Sequence, residues 1–423
     1  MESIAKRWRV LSGSENWEGL LDPLDSDLRR YLIHYGSMIG AVYDSFITEP
    51  TSKYAGLSRY AKKNLFQETG LDKGYPFKYT VTKYFYTPSN KMGEAQGGYH
   101  VQSVRADAVL KESNWGGYVA VATDKGKEVL GRRDIMVVWR GTETRSEWIE
   151  DFNIAMVKPP IIFAQDNGSL VHRGWYKMYT STNKDSQLNS KSAREQIREE
   201  VCKLLDVYKN EEVSITVTGH SLGSSLATLN AVDLAANPLN NSDNVLVTAI
   251  LFASPKVGNE SFKNAFSQLE NLRALRVVNY GDRVPLVPFM SVEAGTILPL
   301  IPYKDVGVKF DIDASKSDYI KPKKLKILTW HCLMIYLHGI DGFQGPKGGF
   351  KPQGCFDMAL VNKYGSMLKV EKCPVPSKWW AEKNKGMVQK DDGTWILDDH
   401  EADHKDDGTW ILDDHEAEDV VYA

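Results

Sequence analysis

Residues 213 to 237, VSITVTGHSLGSSLATLNAVDLAAN, restrict the fold more than any other stretch of the chain. Val213 to Thr218 alternate as a strand does, the pattern breaks at Gly219, and a proline-free helical segment follows until Asn237 and Pro238 close it. This succession of strand, sharp turn and helix around G-x-S-x-G is the context of a nucleophile elbow. Gly219 and Gly223 remove side chains that would collide with the neighbouring strand and helix. Ser221 then stands at the carboxyl end of a strand, where open parallel sheets place their sites, and the helix N-terminus behind it favours developing negative charge. A glycine-rich turn with an incidental serine is the alternative.

Strands and helices alternate around this unit. Ile135 to Trp139 of DIMVVWRGT read as a short buried strand ending in a glycine turn. Residues 245 to 253 and LRALRVVNY read as further strands, 260 to 269 as a helix, and KLKILTW as the last strand. Upstream, Leu28, Tyr31, Leu32, Tyr35, Met38, Ile39, Val42, Tyr43 and Phe46 lay an apolar stripe along one core-facing helix. Residues 52 to 115 are irregular, with FKYTVTKYFY as a candidate strand. The alternation predicts an α/β fold, a mostly parallel central sheet with helices on both faces. It fills residues 1–378, and a C-terminal hairpin and acidic tail occupy 379–423.

Composition excludes several classes. With 423 residues, 42% of them hydrophobic, the chain can bury a sizeable core. Its longest near-continuous apolar run, VLVTAILFA, falls far short of the roughly 20 residues of a membrane span. The opening MESIAKRWRVLSGSENW lacks the apolar core of a signal peptide, which predicts a soluble, cytoplasmic protein. Cys202, Cys332, Cys355 and Cys373 lie far apart with no C-x-x-C spacing, so reduced thiols are expected rather than a zinc site or a disulfide framework. Residues 390 to 419 hold two lysines and 13 acidic residues, a local charge of -11; because the whole chain carries -3, the remainder carries +8. A basic body suits an anionic lipid surface, and it is equally an ordinary solvated surface.

A serine at its ordinary pKa is a poor nucleophile, so a histidine base and an acid that orients it must come from elsewhere. In the chain order of hydrolase elbows the acid follows next, after a later strand. Asp282 of LRVVNYGDRVPLVP occupies that place, with an ion pair to Arg283 as its alternative use. His331, just beyond KLKILTW, completes the order Ser221, Asp282, His331. His338 lies seven residues on, and only one of the two histidines can reach a fixed Ser221. His331 has the position of the base; His338, among Ile335, Tyr336 and Leu337, reads as a core histidine.

Six blocks carry a wider likeness: VTGHSLGSSLATL, VVWRGTETRSEWIEDF, VHRGWY, FASPKVGN, RVVNYGDRVPLVP and WHCLMIYLHGIDGF. They resemble the blocks of class 3 lipases, and SGSENWEGLLDPLD with NKGMVQKDDGTWILDDHE resembles the plant class II phospholipase A1 branch. The resemblance spans about residues 8 to 402. It implies a cytosolic α/β-hydrolase that releases the sn-1 acyl chain of glycerolipids, with no metal or organic cofactor and no nucleic-acid partner. Contact with the lipid surface would be peripheral and transient. Mono- or diacylglycerol and galactolipid remain alternative substrates, and a non-catalytic lipase-like signalling protein remains an alternative class.

The same resemblance implies an oxyanion hole from the backbone N–H groups of Leu222 and Thr142, and a lid near 143 to 160 carrying Trp148, Ile149, Phe152, Ile154 and Met156. A helix packed on the core has the same spacing as a lid. His172 and His220 occupy family positions expected to shape packing and hydrogen bonds around the elbow rather than transfer protons. His34, His400, His404 and His415 have no catalytic context. KDDGTWILDDHEA occurs at 390 to 402 and again at 405 to 417, where the family pattern has one copy. Each copy has the turn residues of a hairpin, and a partly disordered acidic end is the default expectation. A calcium loop starting at Asp403 has its glycine in place, but Lys405 stands where an oxygen ligand is needed and Asp414 where the bidentate glutamate belongs, which argues against it.

Overall fold

A computed structural model describes residues 2–48, 52, 54–88, 113–142, 155–165, 167–184, 186–237, 239, 245–288, 290–291, 301–321, 327–380 and 387–397. Seven strands lie side by side in chain order: β1 (Tyr79–Pro88), β2 (Ser113–Ala122), β3 (Arg133–Trp139), β4 (Val213–His220), β5 (Leu246–Phe252), β6 (Leu272–Asn279) and β7 (Val308–Ile312). The first two pairings are antiparallel and the remaining four parallel. In register, Trp139 lies beside Gly219, Gly219 beside Leu251 and Phe252 beside Val277, so the site end of the sheet is a row of strand carboxyl ends.

The alternation of β3 divides the core. Ile135, Val137 and Trp139 face a cluster built with α5 (Ala193–Val207) and α6 (Leu222–Ala236), whereas Met136 and Val138 face a cluster built with α2 (Ser26–Ser45) and α8 (Leu333–Gly342). All seven residues of β3 are buried, as a strand covered on both faces requires. Helix α1 (Glu2–Leu11) precedes α2, α3 (Asp124–Leu130) joins β2 to β3, α4 (Arg173–Thr180) lies between β3 and α5, and α7 (Glu260–Ser267) joins β5 to β6.

Helix α2 starts where the Asp25 carboxylate accepts the Asp27 and Leu28 amides at 2.9 and 3.1 Å. Its expected stripe faces the sheet, yet 17 of its 20 residues are buried, because α8 covers its outer side. The two helices run antiparallel. Arg29 near the start of α2 donates to the carbonyls of Ile340, Asp341 and Phe343 at the end of α8. A Cβ at Gly36 would lie 2.2 Å from Leu337, so glycine sets the distance of approach. The Tyr43 end of α2 therefore meets the start of α8, where His331 lies.

Two expectations fail. KLKILTW is not the last strand: Ile327–Trp330 form a helical turn, and 322–326 lie outside the described residues. A short apolar run is equally a strand or a buried helical turn by periodicity alone. The seventh strand is VKFDI, an edge strand beside β6 with Phe310 and Ile312 buried and Lys309 and Asp311 exposed. Met156, assigned to the helical stripe of a lid, belongs instead to the strand Met156–Val157, paired with Val171–His172 and fully buried. The rest of that stripe, 143–154, lies outside the described residues.

At the C-terminus, Met387–Gln389 pairs with Trp395–Leu397 around a turn at Asp392 and Gly393. The hairpin docks on the body. Trp395 packs against Trp379 and Trp380, its amide donates to Asp357 at 2.7 Å, and the Gln389 amide donates to the Gly70 carbonyl at 2.8 Å. The second copy, 405–417, lies outside the described residues.

Candidate active site

Ser221 ends β4 and caps α6 with φ 58° and ψ -130°, a backbone conformation that a non-glycine residue adopts only under strain. The surroundings enforce it. The Ser221 amide donates to the Phe252 carbonyl at 3.0 Å, and the Ser224 hydroxyl ties to the Gly219 and Phe252 carbonyls at 2.6 and 2.8 Å. A Cβ on Gly219 would meet the Gly223 backbone at 2.4 Å, and one on Gly223 would meet the Trp139 carbonyl at 2.6 Å. The two glycines of the motif are thus required for strand, turn and helix to pack this closely.

Leu222, the first residue of α6, has an amide with no acceptor inside the helix by the geometry of a helix start. Thr142 lies on the neighbouring segment, three residues beyond β3, whose last residue Trp139 pairs with Gly219 of the elbow. A Cβ on Gly141 would lie 2.7 Å from the His220 carbonyl, so the backbone leading to Thr142 runs directly against the residue before Ser221.

Asp282 follows β6 and is 5% exposed. Its Oδ2 accepts from His331 Nδ1 at 2.8 Å and from the Tyr336 hydroxyl at 2.6 Å, and its Oδ1 accepts the Val284 amide at 2.9 Å. Burial alone raises the carboxyl pKa, but His331, Tyr336 and the Val284 amide outweigh it and hold Asp282 below the ordinary carboxylate value. Arg283 points into solvent and is not the partner of Asp282 in any of these contacts.

His331 is buried in the turn before α8. Asn279, the last residue of β6, donates to the Trp330 carbonyl at 3.0 Å, fixing that turn to the same strand end that carries Asp282. The His331 ring lies 4.7 Å from the His220 ring, centroid to centroid, which brings it beside Ser221's immediate neighbour. His338 is elsewhere: its Nε2 pairs with the Ser317 hydroxyl at 2.8 Å, and burial pushes its pKa down to about 4.

His172 and His34 have local partners. His172 caps α4, its Nδ1 accepting the Trp175 amide at 3.3 Å while its ring stacks on Trp175 at 3.9 Å. His34 stacks on Phe77 and pairs with the Tyr75 hydroxyl at 2.7 Å. Burial pushes both down to about 3, so both are neutral. Among the described residues no group of three His, Cys, Asp or Glu side chains is arranged to hold a metal ion. Sequence reasoning missed Tyr336, five residues beyond His331, and Tyr43, whose closeness to the site depends on how α2 packs.

Chemically, the site offers a strained serine at a helix N-terminus and a histidine oriented by an ionised acid, an arrangement suited to acyl transfer. A family model described as Lipase (class 3) matches residues 136–292. Phospholipase A1-IIgamma of Arabidopsis thaliana is 45% identical over 409 residues, covering 95% of this chain and 94% of that protein. Phospholipase A1-II 7 of Oryza sativa subsp. indica is 46% identical over 411 residues, covering 94% and 97%. Phospholipase A1-IIalpha of Arabidopsis thaliana is 44% identical over 415 residues, covering 96% and 94%. With likeness of that extent along nearly its whole length, and with the elbow and sheet of an α/β-hydrolase, the chain belongs to the class II phospholipase A1 family of class 3 lipases.

Proposed function

We propose that this enzyme is a phospholipase A1, hydrolysing the sn-1 ester of glycerophospholipids through Ser221, His331 and Asp282. The observation that carries the reading is the strained Ser221 at the end of β4, whose neighbour His220 lies in ring contact with a His331 bonded to a buried, ionised Asp282. In this reading His331 Nε2 takes the Ser221 hydroxyl proton as Oγ forms a bond to the ester carbonyl carbon. The imidazolium then returns that proton to the departing lysophospholipid oxygen. A water, deprotonated by His331, then attacks the acyl carbon, and the imidazolium returns the proton to Ser221 Oγ as the Oγ–acyl bond breaks and the fatty acid leaves. Asp282 fixes the imidazole tautomer and stabilises the imidazolium; the Leu222 and Thr142 amides hold the oxyanion, each worth about 3 kcal/mol.

The enzyme in this reading is cytoplasmic and touches lipid surfaces transiently. Free thiols at Cys202, Cys332, Cys355 and Cys373 suit a reducing compartment. Among the described residues no helix is long and apolar enough to cross a membrane.

Phosphatidylcholine labelled separately at sn-1 and sn-2 tests the proposal, with diacylglycerol and galactolipid in parallel. Release of the sn-1 label, abolished in Ser221→Ala, is the expected outcome. Undiminished release by the variant would overturn the mechanism, release from neutral lipid or galactolipid alone the substrate, and no hydrolysis of any ester the enzymatic reading. Asp282→Asn should lower kcat by about 10⁴-fold through the wrong imidazole tautomer. His331→Ala should abolish turnover with the fold intact, whereas His338→Ala should chiefly lower stability.

A further inference from the structure

Orienting a catalytic imidazole requires control of its backbone as well as of its ring, since a histidine held only by its carboxylate can still pivot about Cα. The structure supplies such a hold from a second histidine. His220 Nε2 lies 2.7 Å from the backbone carbonyl of His331, and His220 Nδ1 lies 2.8 Å from the Tyr43 hydroxyl. All three residues are buried.

The proton positions follow from the partners. A backbone carbonyl only accepts, so His220 Nε2 carries the proton and donates to it. Burial first, and then the neighbouring His331, push the His220 pKa down to about 3, so the ring is neutral and carries one proton. Nδ1 is therefore bare, and the Tyr43 hydroxyl donates to it. Tyr43 selects the one tautomer of His220 that can grip His331. The neutral state matters as well: a cation 4.7 Å from the His331 ring would oppose the imidazolium that forms during acyl transfer.

The fold is cut to admit this chain of bonds. A Cβ on Gly141 would lie 2.2 Å from the Tyr43 hydroxyl and 2.7 Å from the His220 carbonyl, so only glycine lets β3's exit loop, the Tyr43 hydroxyl and the elbow converge. We propose that Tyr43 and His220 are positioning residues for the hydrolysis: Tyr43 fixes the tautomer of His220, and His220 anchors the backbone of the catalytic base to the nucleophile elbow. The inference rests on the reading of Ser221 and His331 given above. It makes α2 a working part of the site rather than a cover for the sheet.

The test uses the full-length enzyme and p-nitrophenyl butyrate, a soluble ester that removes the lipid surface from the measurement. His220→Leu keeps the volume and deletes the donor; His220→Gln restores an N–H at the reach of Nε2; Tyr43→Phe deletes only the hydroxyl. His220→Leu should lower kcat by about 30- to 100-fold with KM within about twofold, the loss expected when a reacting group is misplaced by a fraction of an ångström to 1 Å. His220→Gln should recover most of that loss, and Tyr43→Phe should lower kcat by about three- to tenfold. The proposal is overturned by wild-type kcat in folded His220→Leu, by equal losses in the Leu and Gln variants, or by a loss confined to KM. Should His220→Leu fail to fold, the Tyr43→Phe and His220→Gln values decide: a normal kcat in Tyr43→Phe sinks the relay. Ser221→Ala separates the two readings. Activity surviving in it removes the triad itself, whereas an inactive Ser221→Ala beside an unimpaired His220→Leu removes only the relay.

Discussion

Helix α2 is tied down near each end by a buried ion pair, and the two pairs are built differently. Arg132 and Asp134, where β3 begins, are both 0% exposed and 3.2 Å apart. Every charge in that pair has further partners. Asp134 accepts the hydroxyls of Tyr35, Tyr79, Ser214 and Thr216 at 2.7 to 2.8 Å, and Arg132 donates to Tyr31, Tyr35, Ser214 and the Leu130 carbonyl. At the other end, Lys363 meets Asp44 at 2.6 Å with side chains 6% and 1% exposed. Asp44 Oδ1 is buried with no hydrogen-bond partner among the described residues, and the Lys363 ammonium lies 3.7 Å from the centre of the Trp380 ring.

The shorter ion pair is the poorer one. At Asp134 burial raises the carboxyl pKa, but Arg132 and then the hydroxyls outweigh it and hold the group below its ordinary value. At Asp44 burial prevails over Lys363 and pushes the carboxyl up to about 6, while the same burial lowers Lys363. Hydroxyl donors, not the distance between opposite charges, decide whether a buried carboxylate is comfortable. The functional end of α2 is the soft one: Asp44 adjoins Tyr43, whose hydroxyl reaches His220.

The largest effect should come from Arg132→Met. It leaves Asp134 ionised in the core with hydroxyls but no cation, and strips two tyrosine hydroxyls of a partner, at a cost of about 3 to 5 kcal/mol. Urea unfolding at pH 7 measures it. A midpoint within error of the wild type would mean that the four hydroxyls alone neutralise the burial cost, and the comparison would then rest on them entirely.

Lys363→Met should come next, at about 3 kcal/mol at pH 8. This cost depends on pH in a defined direction. The folded pKa of Asp44 is raised, so folding takes up a proton between its unfolded value near 3.8 and its folded value about 6, and removing Lys363 raises the latter further. Stability from that uptake is fully present below the unfolded pKa and lost as the pH rises through the folded one. The variant's deficit should therefore shrink as the pH falls from 8 to 5. A deficit constant over that interval would show Asp44 remaining ionised, contrary to the soft-pair description. Tyr79→Phe, which deletes one of the four hydroxyls on Asp134 and preserves the ring, should cost about 2 kcal/mol independent of pH over the same interval.

None of this contrast was legible in the sequence, for a physical reason. Arg132, Asp134, Tyr31, Tyr35, Tyr79, Ser214 and Thr216 come from four separate segments, and only the packed sheet and α2 bring them together. The elbow, by contrast, was readable because strand, turn and helix are consecutive and two glycines have local steric work to do. The pairing of Asp282 with His331 follows the expected chain order, and the core packing of His338 follows from the apolar residues around it. The segment before His331 was misread because four apolar residues do not distinguish a helical turn from a strand, and VKFDI was missed because an edge strand needs only two buried residues. Tyr43 was read correctly as a core-facing residue of its helix, but its hydroxyl's partner depends on the antiparallel pairing of α2 with α8, which no local pattern encodes.

The smallest expected effect is also the sharpest discriminator between the two pairs. Replacing both members of a buried ion pair with apolar residues of similar volume is often neutral or stabilising, because two desolvation costs disappear with one attraction. Asp44→Leu combined with Lys363→Met should therefore change stability by less than about 1 kcal/mol, since Asp44 has one unpaired oxygen to lose and the Met side chain can lie against the Trp380 ring where the ammonium lay. Asp134→Leu combined with Arg132→Met has no such escape: it removes the carboxylate that accepts the hydroxyls of Tyr35, Tyr79, Ser214 and Thr216 in the core, and each hydroxyl left unsatisfied costs about 1 to 3 kcal/mol, while Tyr31 keeps Ser12 as a partner. Equal losses in the two double variants, measured by urea midpoint at pH 7, would erase the distinction. A neutral Asp44→Leu/Lys363→Met variant that nonetheless loses turnover would locate the value of the soft pair in holding Tyr43 against His220 rather than in holding the chain folded.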